Sequence, residues 1–282
     1  MDQGRLCTAT GSRDPGDYVD HIKPKDNCAG VNLVPRDTIL IIPAHNEEAN
    51  LGSVLDEVRA VGYKGDVVVI NDFSTDRTAL VARRKGAEVV NLPCNLGYGG
   101  AVQAGFKYAV ERGYRFAAVM DADGQHAPES LAALLQPVVE GRADIAVGSR
   151  YLGRAEYRVG LARTMGMRFF SNLVSWITGQ RITDPTSGYQ AMNAEVMRFF
   201  SQDNYPADYP DADTIILVKL AGFRLIEVPV VMRGRLSGVS MHSGLKPLYY
   251  VVKMMLSIMI VLLRQRSRMR AVRPGPDIEG GF

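Results

Sequence analysis

From residue 38 onward, short apolar runs alternate with longer stretches in which apolar residues recur every three or four positions. A short apolar run bounded by polar or turn residues is typical of a buried strand, and the longer period is typical of a helix. The pattern predicts strands at 38–43, 66–70, 88–90, 116–120 and 144–148, and helices at 47–61, 75–85, 99–112 and 128–140. This alternation predicts an α/β domain whose mostly parallel sheet carries helices on both faces.

Polar clusters directly follow three of the predicted strands. They occupy residues 45–47 after the first strand, 71–72 after the second and 121–123 after the fourth. The carboxyl ends of parallel strands meet at one edge of a sheet, which is where α/β proteins bind their ligands. A buried strand needs none of these polar groups, so their positions predict one binding site at that edge.

Asp121 and Asp123 stand one residue apart at the end of a strand, and Gln125 follows two positions later. Magnesium and manganese favour carboxylate, carbonyl and diphosphate oxygens. We therefore predict a divalent-cation site at Asp121, Asp123 and Gln125. The alternative is that Asp123 only caps the helix that begins near Pro128.

The other clusters have both a binding and a structural interpretation. Glu47 is placed to meet a base or ribose, although acidic residues such as Glu47 and Glu48 are also favoured in the first turn of a helix. Asp72 can accept the imino proton of uracil or guanine, whereas residues 74–76 are good helix caps. The glycines of the 95–100 loop permit close backbone approach to a ligand, but turns also use glycine routinely.

The composition limits the possible partners and cellular compartment of the protein. The chain of 282 residues is 46% hydrophobic, and its formal charge of +3 is too small to indicate nucleic acid as a partner. Its three cysteines form no metal-ligand pattern or disulfide framework, which favours a reducing cytoplasm. Residues 1–35 lack the apolar stretch of a secretory signal and are predicted to form a poorly ordered extension. Residues 274–282 are predicted to be a disordered tail.

Residues 248–263 are almost wholly apolar, interrupted by Lys253 and Ser257, and five arginines follow up to Arg273. This run is short for a membrane span, which needs about 20 apolar residues. An apolar helix beside a basic cluster favours peripheral attachment to an anionic cytoplasmic leaflet, and we predict such a segment at 244–273. The alternative is a helix packed on the domain, followed by a solvated basic tail.

Taken together, the motifs resemble those of family 2 glycosyltransferases. The resemblance rests on the order and spacing of Pro43 to Glu47, Asp72 to Thr78, Asn95 to Gly100, Asp121-Ala122-Asp123 and Gly148-Ser149-Arg150. The chain is most similar to the branch that transfers mannose or glucose to dolichyl or polyprenyl phosphate. This resemblance implies a GT-A fold over residues 36–243. Two departures are His45, where a tyrosine is usual, and Asn71-Asp72-Phe73, which replaces the commoner Asp-Asp-Gly.

The resemblance also implies roles for individual residues. Residues expected to bind the nucleotide-sugar are Pro43, His45, Glu47, Ile70, Asp72, Gly99, Asp121, Arg163 and Arg235, those expected to hold the metal are Asp121, Asp123 and Gln125, and those expected to act in catalysis are Asp123, Arg150 and Asp213. Arg158 and Arg168 are rivals of Arg163. Arg233, Arg235 and Ser240 match a segment that closes over the donor, and residues 184–189 match an acceptor-side loop.

The activity implied by the resemblance is inverting transfer of a hexose from a UDP- or GDP-sugar to polyprenyl or dolichyl phosphate, with Mg²⁺ or Mn²⁺ as cofactor. The implied location is the cytoplasmic face of the membrane, with a small membrane-embedded subunit as a possible partner. One alternative is transfer to a sugar hydroxyl, with Asp211 or Asp213 as the base. Another is a catalytically silent subunit of a glycan assembly complex. A nucleotidyltransferase is disfavoured because Glu47 and Glu48 would repel phosphates.

Overall fold

The structure, a computed structural model, describes residues 34–152, 161–202, 205–206, 212–233 and 254–263, with backbone only for 161–165. Most of the predicted extension (1–35), the basic end of the predicted membrane segment (264–273) and the predicted tail (274–282) lie outside the described residues.

Seven strands form one mixed sheet. They are β1 (Thr38–Ala44), β2 (Asp66–Asn71), β3 (Glu88–Asn91), β4 (Phe116–Val119), β5 (Ile145–Ser149), β6 (Gln190–Asn193) and β7 (Leu225–Pro229), in the order β3-β2-β1-β4-β6-β5-β7. β6 is antiparallel to both of its neighbours, and the remaining pairs are parallel. The predicted mostly parallel sheet is therefore confirmed.

Within the described ranges, helices cover both faces of the sheet. They are α1 (Leu51–Ala60), α2 (Thr78–Arg84), α3 (Gly97–Glu111), α4 (Leu131–Val139), α5 (Leu161–Thr178), α6 (Ala194–Phe200) and α7 (Ala212–Leu220). Alternate strand residues point to opposite faces. Leu40, Ile42 and Val69 pack in one core with α1, α2 and α4, whereas Ile41 and Val68 pack in the other with α3, α5, α6 and α7.

The antiparallel direction of β6 determines where the residues before it lie. Gln190, the first residue of β6, is paired with Val119 near the end of β4 and with Val147 in β5. The loop that leads into β6 therefore lies at the same edge of the sheet as the carboxyl ends of β4 and β5. This places residues 184–189 beside the polar residues that follow β4.

Several predicted helix boundaries are wrong. α1 begins at Leu51 and not at residue 47, because Glu47 and Glu48 lie in a turn fastened to the next crossover. In that turn, the Glu47 N–H donates to Thr78 Oγ1 and the Glu48 carboxylate accepts from the Arg77 N–H. Their interpretation as first-turn acids is therefore incorrect. Similarly, α2 begins at Thr78, and α3 begins two residues earlier than predicted, at Gly97.

A segment of residues 254–263, here called the C-terminal segment, is also helical. Met254 and Ile258 are buried in the core that also contains residues of α5 and α7, and the Ser257 hydroxyl donates to the carboxylate of Asp213 in α7. Large apolar side chains on its other face are exposed, namely Met255, Leu256, Met259, Ile260 and Leu263. Among the described helices, none has the length and apolar character needed to cross a membrane.

We expect Gly105→Ala to lower the free energy of unfolding by about 1–3 kcal/mol, as overpacking of a core does. Gly105 lies on the buried face of α3, and an added Cβ would meet Cγ2 of Ile41 in β1 at 2.4 Å. Ile41 is fully buried and β-branched, so it has little freedom to move aside. Urea denaturation followed by circular dichroism measures the change.

Gly166→Ala is the matched control, because Gly166 lies in α5 with no atom within 4 Å of an added Cβ. Alanine has a higher helix propensity than glycine, so this variant should gain up to about 1 kcal/mol. Equal effects of the two substitutions would show that the close packing of α3 on β1 has been misjudged.

Candidate active site

The loop that precedes α3 is fastened to the end of β2 by Asp72. The Asp72 carboxylate, which is buried, accepts hydrogen bonds from the backbone N–H groups of Leu96 at 2.7 Å and Gly97 at 2.9 Å. These N–H groups belong to the N-terminus of α3, where a negative charge is favourable. Asp72 therefore holds the predicted glycine loop against the strand, a role that sequence reasoning did not assign to it.

The loop after β1 is joined to the loop after β2 by Asn46, which has a positive φ of 55°. Its side-chain oxygen accepts from the Thr75 N–H at 2.8 Å, and its own N–H donates to Ser74 Oγ at 3.0 Å. Nδ1 of the preceding residue, His45, is 2.6 Å from the carbonyl oxygen of Asp72. Residues 74 and 75 thus bond to the neighbouring loop and do not cap α2.

Phe73 explains one of the departures from the family pattern. It has φ of 54°, the left-handed region that favours glycine, and its side chain is 52% exposed. Phe73 therefore keeps the backbone conformation suited to the glycine of Asp-Asp-Gly and turns its ring toward solvent.

The predicted metal residues lie together after β4. The Asp121 carboxylate accepts a hydrogen bond from the Tyr98 hydroxyl at 2.8 Å, which links it to the first turn of α3. The Asp123 carboxylate accepts from the backbone N–H and the side-chain amide of Gln125. Among the described residues no side chain caps the helical turn at Pro128–Ser130, so the interpretation of Asp123 as a helix cap is wrong.

His126 lies directly behind Asp121, and sequence reasoning missed it. Its Nδ1 accepts a hydrogen bond from the Asp121 N–H at 3.0 Å, and its Nε2 is 3.6 Å from Asp121 Oδ2. The ring stacks on Tyr189, with centroids 4.6 Å apart and an angle of 10° between the planes. Burial raises the pKa of the Tyr189 hydroxyl, which donates to the carbonyl oxygen of Ala127. The only sequence signal was that a histidine follows closely on two carboxylates.

Arg150 is held by the loop before β6. Its Nε and Nη2 donate to the two oxygens of the buried Asp184 carboxylate at 2.7 and 2.6 Å, and Nη2 also donates to Thr186 Oγ1. Glu227 in β7 holds the same loop by accepting from the N–H groups of Thr183 and Asp184. Burial raises the pKa of Glu227 in spite of those hydrogen bonds. The orientation of the Arg150 guanidinium is therefore fixed by a bidentate pair.

The backbone of Arg233 contacts the predicted metal motif. Its N–H donates to the carbonyl oxygen of Gln125, while its guanidinium contacts Glu57 of α1 and Glu129, each at 2.6 Å. Arg233 therefore fastens the chain after β7 to α1 and to the loop after β4. The residues matched to a donor-closing segment continue to Arg235 and Ser240, which lie outside the described residues.

The remaining predicted residues differ in where they lie relative to this edge. Pro43 and Ile70 are buried and paired in register at the ends of β1 and β2, and Gly99 is buried in the first turn of α3. Asp213 is buried at the start of α7, where it accepts from Ser257 and from the Thr214 N–H. Arg163 lies in α5, but its side chain is outside the described part of the chain.

The donor set suits a cation that is completed by a ligand. Within the described ranges no cluster of three or more His, Cys, Asp or Glu side chains has the spacing of a metal site. Mg²⁺ is nevertheless commonly bound through one or two carboxylates together with substrate phosphates. Asp121 and Asp123 supply two carboxylates, and Gln125 supplies an amide oxygen. These residues therefore fit a metal shared with a diphosphate.

Comparison with known proteins identifies the family. The profile of glycosyl transferase family 2 matches residues 39–201, more than half of the chain. The chain is 33% identical over 216 residues to the polyprenol monophosphomannose synthase of Mycolicibacterium smegmatis, covering 73% of this chain and 81% of that protein. The chain belongs to glycosyl transferase family 2. It is also 33% identical over 221 residues to the undecaprenyl-phosphate mannosyltransferase of Micrococcus luteus, covering 73% and 87% of the two chains.

Solved structures confirm the GT-A fold of this glycosyltransferase. Glucosyl-3-phosphoglycerate synthase from Mycobacterium tuberculosis, in complex with Mn²⁺ and UDP-glucose, superposes with a TM-score of 0.62 at 18% identity, covering 85% of this chain and 84% of that one. The same synthase in complex with Mg²⁺ and UDP gives a TM-score of 0.60. Family and fold together show that the nucleotidyltransferase interpretation is wrong.

We expect Asp72→Asn to lower the free energy of unfolding of the glycosyltransferase by about 1–3 kcal/mol. An amide keeps one acceptor but turns its NH₂ toward an N–H donor, so one of the Leu96 and Gly97 N–H groups loses its partner. Hydrogen exchange should increase at residues 96 and 97, and urea denaturation gives the free energy.

Asp56→Asn is the control for loss of a carboxylate, because Asp56 is half exposed and pairs with Lys85 at the surface. Surface pairs of this kind contribute about 0–1 kcal/mol. If Asp72→Asn changed neither stability nor exchange more than Asp56→Asn does, the fastening role of Asp72 would be refuted.

Proposed function

We propose that this glycosyltransferase moves a hexose from a UDP- or GDP-sugar to polyprenyl or dolichyl phosphate, with Mg²⁺ or Mn²⁺ and with inversion at the anomeric carbon. The observation that carries the proposal is the hydrogen-bonded chain from Asp72 through the glycine loop and Tyr98 to Asp121. It joins the predicted base end and the predicted diphosphate end of a donor site along one sheet edge. The mannosyltransferase relatives support a polyprenyl phosphate as acceptor.

The donor base and ribose would lie over the ends of β1 and β2. Pro43, His45, Glu47 and Ile70 are the proposed contacts, and Gly99 permits the donor to approach the start of α3. Because the Asp72 carboxylate already accepts two backbone N–H groups, an imino proton of the base would share one of its oxygens. Arg163 and Arg235 remain proposed donor contacts.

The donor diphosphate would lie beside Asp121 and Asp123. Those two carboxylates and the amide oxygen of Gln125 would hold the divalent cation, with Asp123 the more deeply buried of the two. When bound, the cation neutralises charge that grows on the departing nucleoside diphosphate. Tyr98 donates to the Asp121 carboxylate and His126 accepts from the Asp121 N–H, which supports a carboxylate of fixed orientation.

The acceptor phosphate would approach from the side of the 184–189 loop. A phosphate monoester has a second pKa of about 6, so near neutrality its oxygen is already ionised and needs no strong general base. Positioning of that oxygen is then the larger contribution, and Arg150 is the proposed positioning group. Its bidentate contact with Asp184 fixes the guanidinium plane in advance, at the cost of part of its positive field.

Transfer to a sugar hydroxyl is the alternative that one observation favours. Such an acceptor needs a carboxylate to remove its proton, and Asp213 is a carboxylate buried at the start of α7. Its hydrogen bond from Ser257 would have to be exchanged for one from the acceptor. An acceptor panel separates the two activities.

The decisive experiment incubates the full chain with polyprenyl phosphate, Mn²⁺ or Mg²⁺, and radiolabelled UDP- or GDP-sugars, and then counts label in the organic phase. Metal-dependent label from one donor is the expected result, and it also identifies the sugar. Donor binding without lipid labelling would favour a sugar hydroxyl as acceptor or a missing membrane-embedded subunit. No donor binding at all would contradict the proposal.

We expect Asp121→Ala and Asp123→Ala each to reduce transfer at least about 100-fold, because the charge on the leaving diphosphate loses its counter-charge. Chelation of the metal should abolish transfer, and Mn²⁺ should restore it in the wild-type chain. Asp56→Asn serves again as the control, with unchanged activity. Full transfer by folded Asp121→Ala and Asp123→Ala variants would exclude the proposed metal site.

Membrane attachment is the second part of the proposal. We propose that residues 36–243 form the catalytic domain and that 244–273 attach it peripherally to the cytoplasmic face of a membrane. The exposed apolar face of the C-terminal segment supports this, since exposed contiguous apolar surface marks protein or membrane contacts. Five arginines follow it in the sequence, as anionic lipid would favour.

We expect the double variant Met259→Glu, Ile260→Glu to bind anionic vesicles at least about tenfold more weakly than the wild type, because two large apolar side chains lose their burial in lipid. Met259 and Ile260 are 50% and 43% exposed, so the fold should tolerate the change. Vesicle co-sedimentation measures the binding. Leu80→Glu, at a similarly exposed leucine of α2, is the control. Equal binding by all three proteins would refute attachment through this face.

A further inference from the structure

His126 is a buried polar side chain to which the proposed reaction assigns no step. Its side chain is 2% exposed, and it lies within five residues of Asp121 in the loop after β4. Burial of an imidazole is unfavourable unless its nitrogens have partners. Both nitrogens face the same residue, Asp121, one toward its N–H and the other toward its carboxylate.

The contact with the backbone determines the tautomer of a neutral ring. An N–H can only donate, so Nδ1 of His126 accepts and carries no proton, which leaves the proton on Nε2. Nε2 then presents this proton toward Asp121 Oδ2 at 3.6 Å, longer than a hydrogen bond but close enough for electrostatic attraction. The ring thus constrains Asp121 at both its backbone and its carboxylate.

Tyr189 holds the ring in this orientation from the opposite loop. It is fully buried, stacks almost parallel on His126, and is anchored by its hydroxyl to Ala127. Backbone pairing of His126 with Met232 adds a third attachment, from the chain after β7. His126 is therefore held by stacking of its ring on Tyr189 and by pairing of its backbone with Met232.

We infer that His126 is a positioning residue for Asp121, which sets the orientation of this carboxylate for a divalent cation shared with the donor diphosphate. The inference rests on the proposed function in that Asp121 is taken to bind the metal. Outer partners of metal ligands typically change metal affinity by about 10–100-fold when they are lost. His126 contacts neither substrate nor metal in this role, so it is not a catalytic residue.

The test compares Mn²⁺ affinity in the presence of UDP or GDP, measured by electron paramagnetic resonance of free Mn²⁺. His126→Phe keeps a flat ring against Tyr189 but removes both nitrogens, and it should weaken Mn²⁺ binding by about 10–100-fold. His126→Asn places an amide oxygen where Nδ1 accepts, so it should recover most of the affinity. Tyr189→Phe is the control for a small change next to His126, since it keeps the stacked ring and both imidazole nitrogens and loses only the hydroxyl.

Circular dichroism melting verifies that each variant is folded, and His126→Leu replaces His126→Phe if the larger ring prevents folding. Wild-type affinity in His126→Phe, alongside loss of binding in Asp121→Ala, would overturn the positioning role while leaving the metal site intact. Equal weakening in His126→Phe, His126→Asn and Tyr189→Phe would also overturn it, because a general disturbance of this buried region, and not loss of the ring nitrogens, would then be responsible. If Mn²⁺ bound neither wild type nor variants with either nucleotide, the metal site would fail, and the inference with it.

Discussion

The candidate site depends on one buried carboxylate that accepts two backbone N–H groups. Asp72 directly follows β2 and accepts hydrogen bonds from the N–H groups at the start of α3, which joins the glycine loop to the sheet. From that turn Tyr98 reaches Asp121 across the ends of β1 and β4. A charged acceptor at a helix N-terminus gains from both hydrogen bonds and the helix dipole. The position of Asp121, at the proposed diphosphate end, is therefore tied to Asp72, at the proposed base end.

The second half of the edge is organised by charges that neutralise one another. Arg150 and Asp184 form a bidentate pair, and Glu227 secures the backbone that carries Asp184. Removal of either partner of this pair would be destabilising, because the other charge would stay buried without compensation. This pairing favours a guanidinium of fixed orientation. Such a group would suit the proposed placement of an anionic acceptor.

The sequence predicted the first half of the fold well, for a physical reason. β1, β4 and β5 are buried along their whole length, and β2 is buried over its last four residues, so they form short apolar runs such as residues 39–44. β6 has four residues, Gln-Ala-Met-Asn, and its place depends on pairing with two distant strands that local patterns do not encode. Helices α5 and α6, which precede and follow β6 in the chain, were not predicted either.

The sequence predicted which types of residue gather at the candidate site, but it predicted the contacts between them less well. Placement of the carboxylates after β2 and β4 followed from strand ends, and the structure brings both to one edge. Their partners could not be predicted, because Leu96 and Gly97 contribute backbone N–H groups that have no sequence signature. The contacts of His126 could not be predicted because its stacking partner, Tyr189, lies far away in the chain. Those of Asp213 could not be predicted because they depend on the contact of Ser257 with α7.

The antiparallel insertion of β6 has a consequence for how this protein acquires its activity during folding. β4 and β5 are not neighbours and are joined only through β6, so β5 and β7 remain apart from the rest of the sheet until β6 is in place. The same event delivers Asp184 to Arg150 and Tyr189 to His126. Pairings between distant segments form slowly because loop closure must precede them. The contacts that support Arg150 and His126 therefore depend on the same strand that joins the two parts of the sheet.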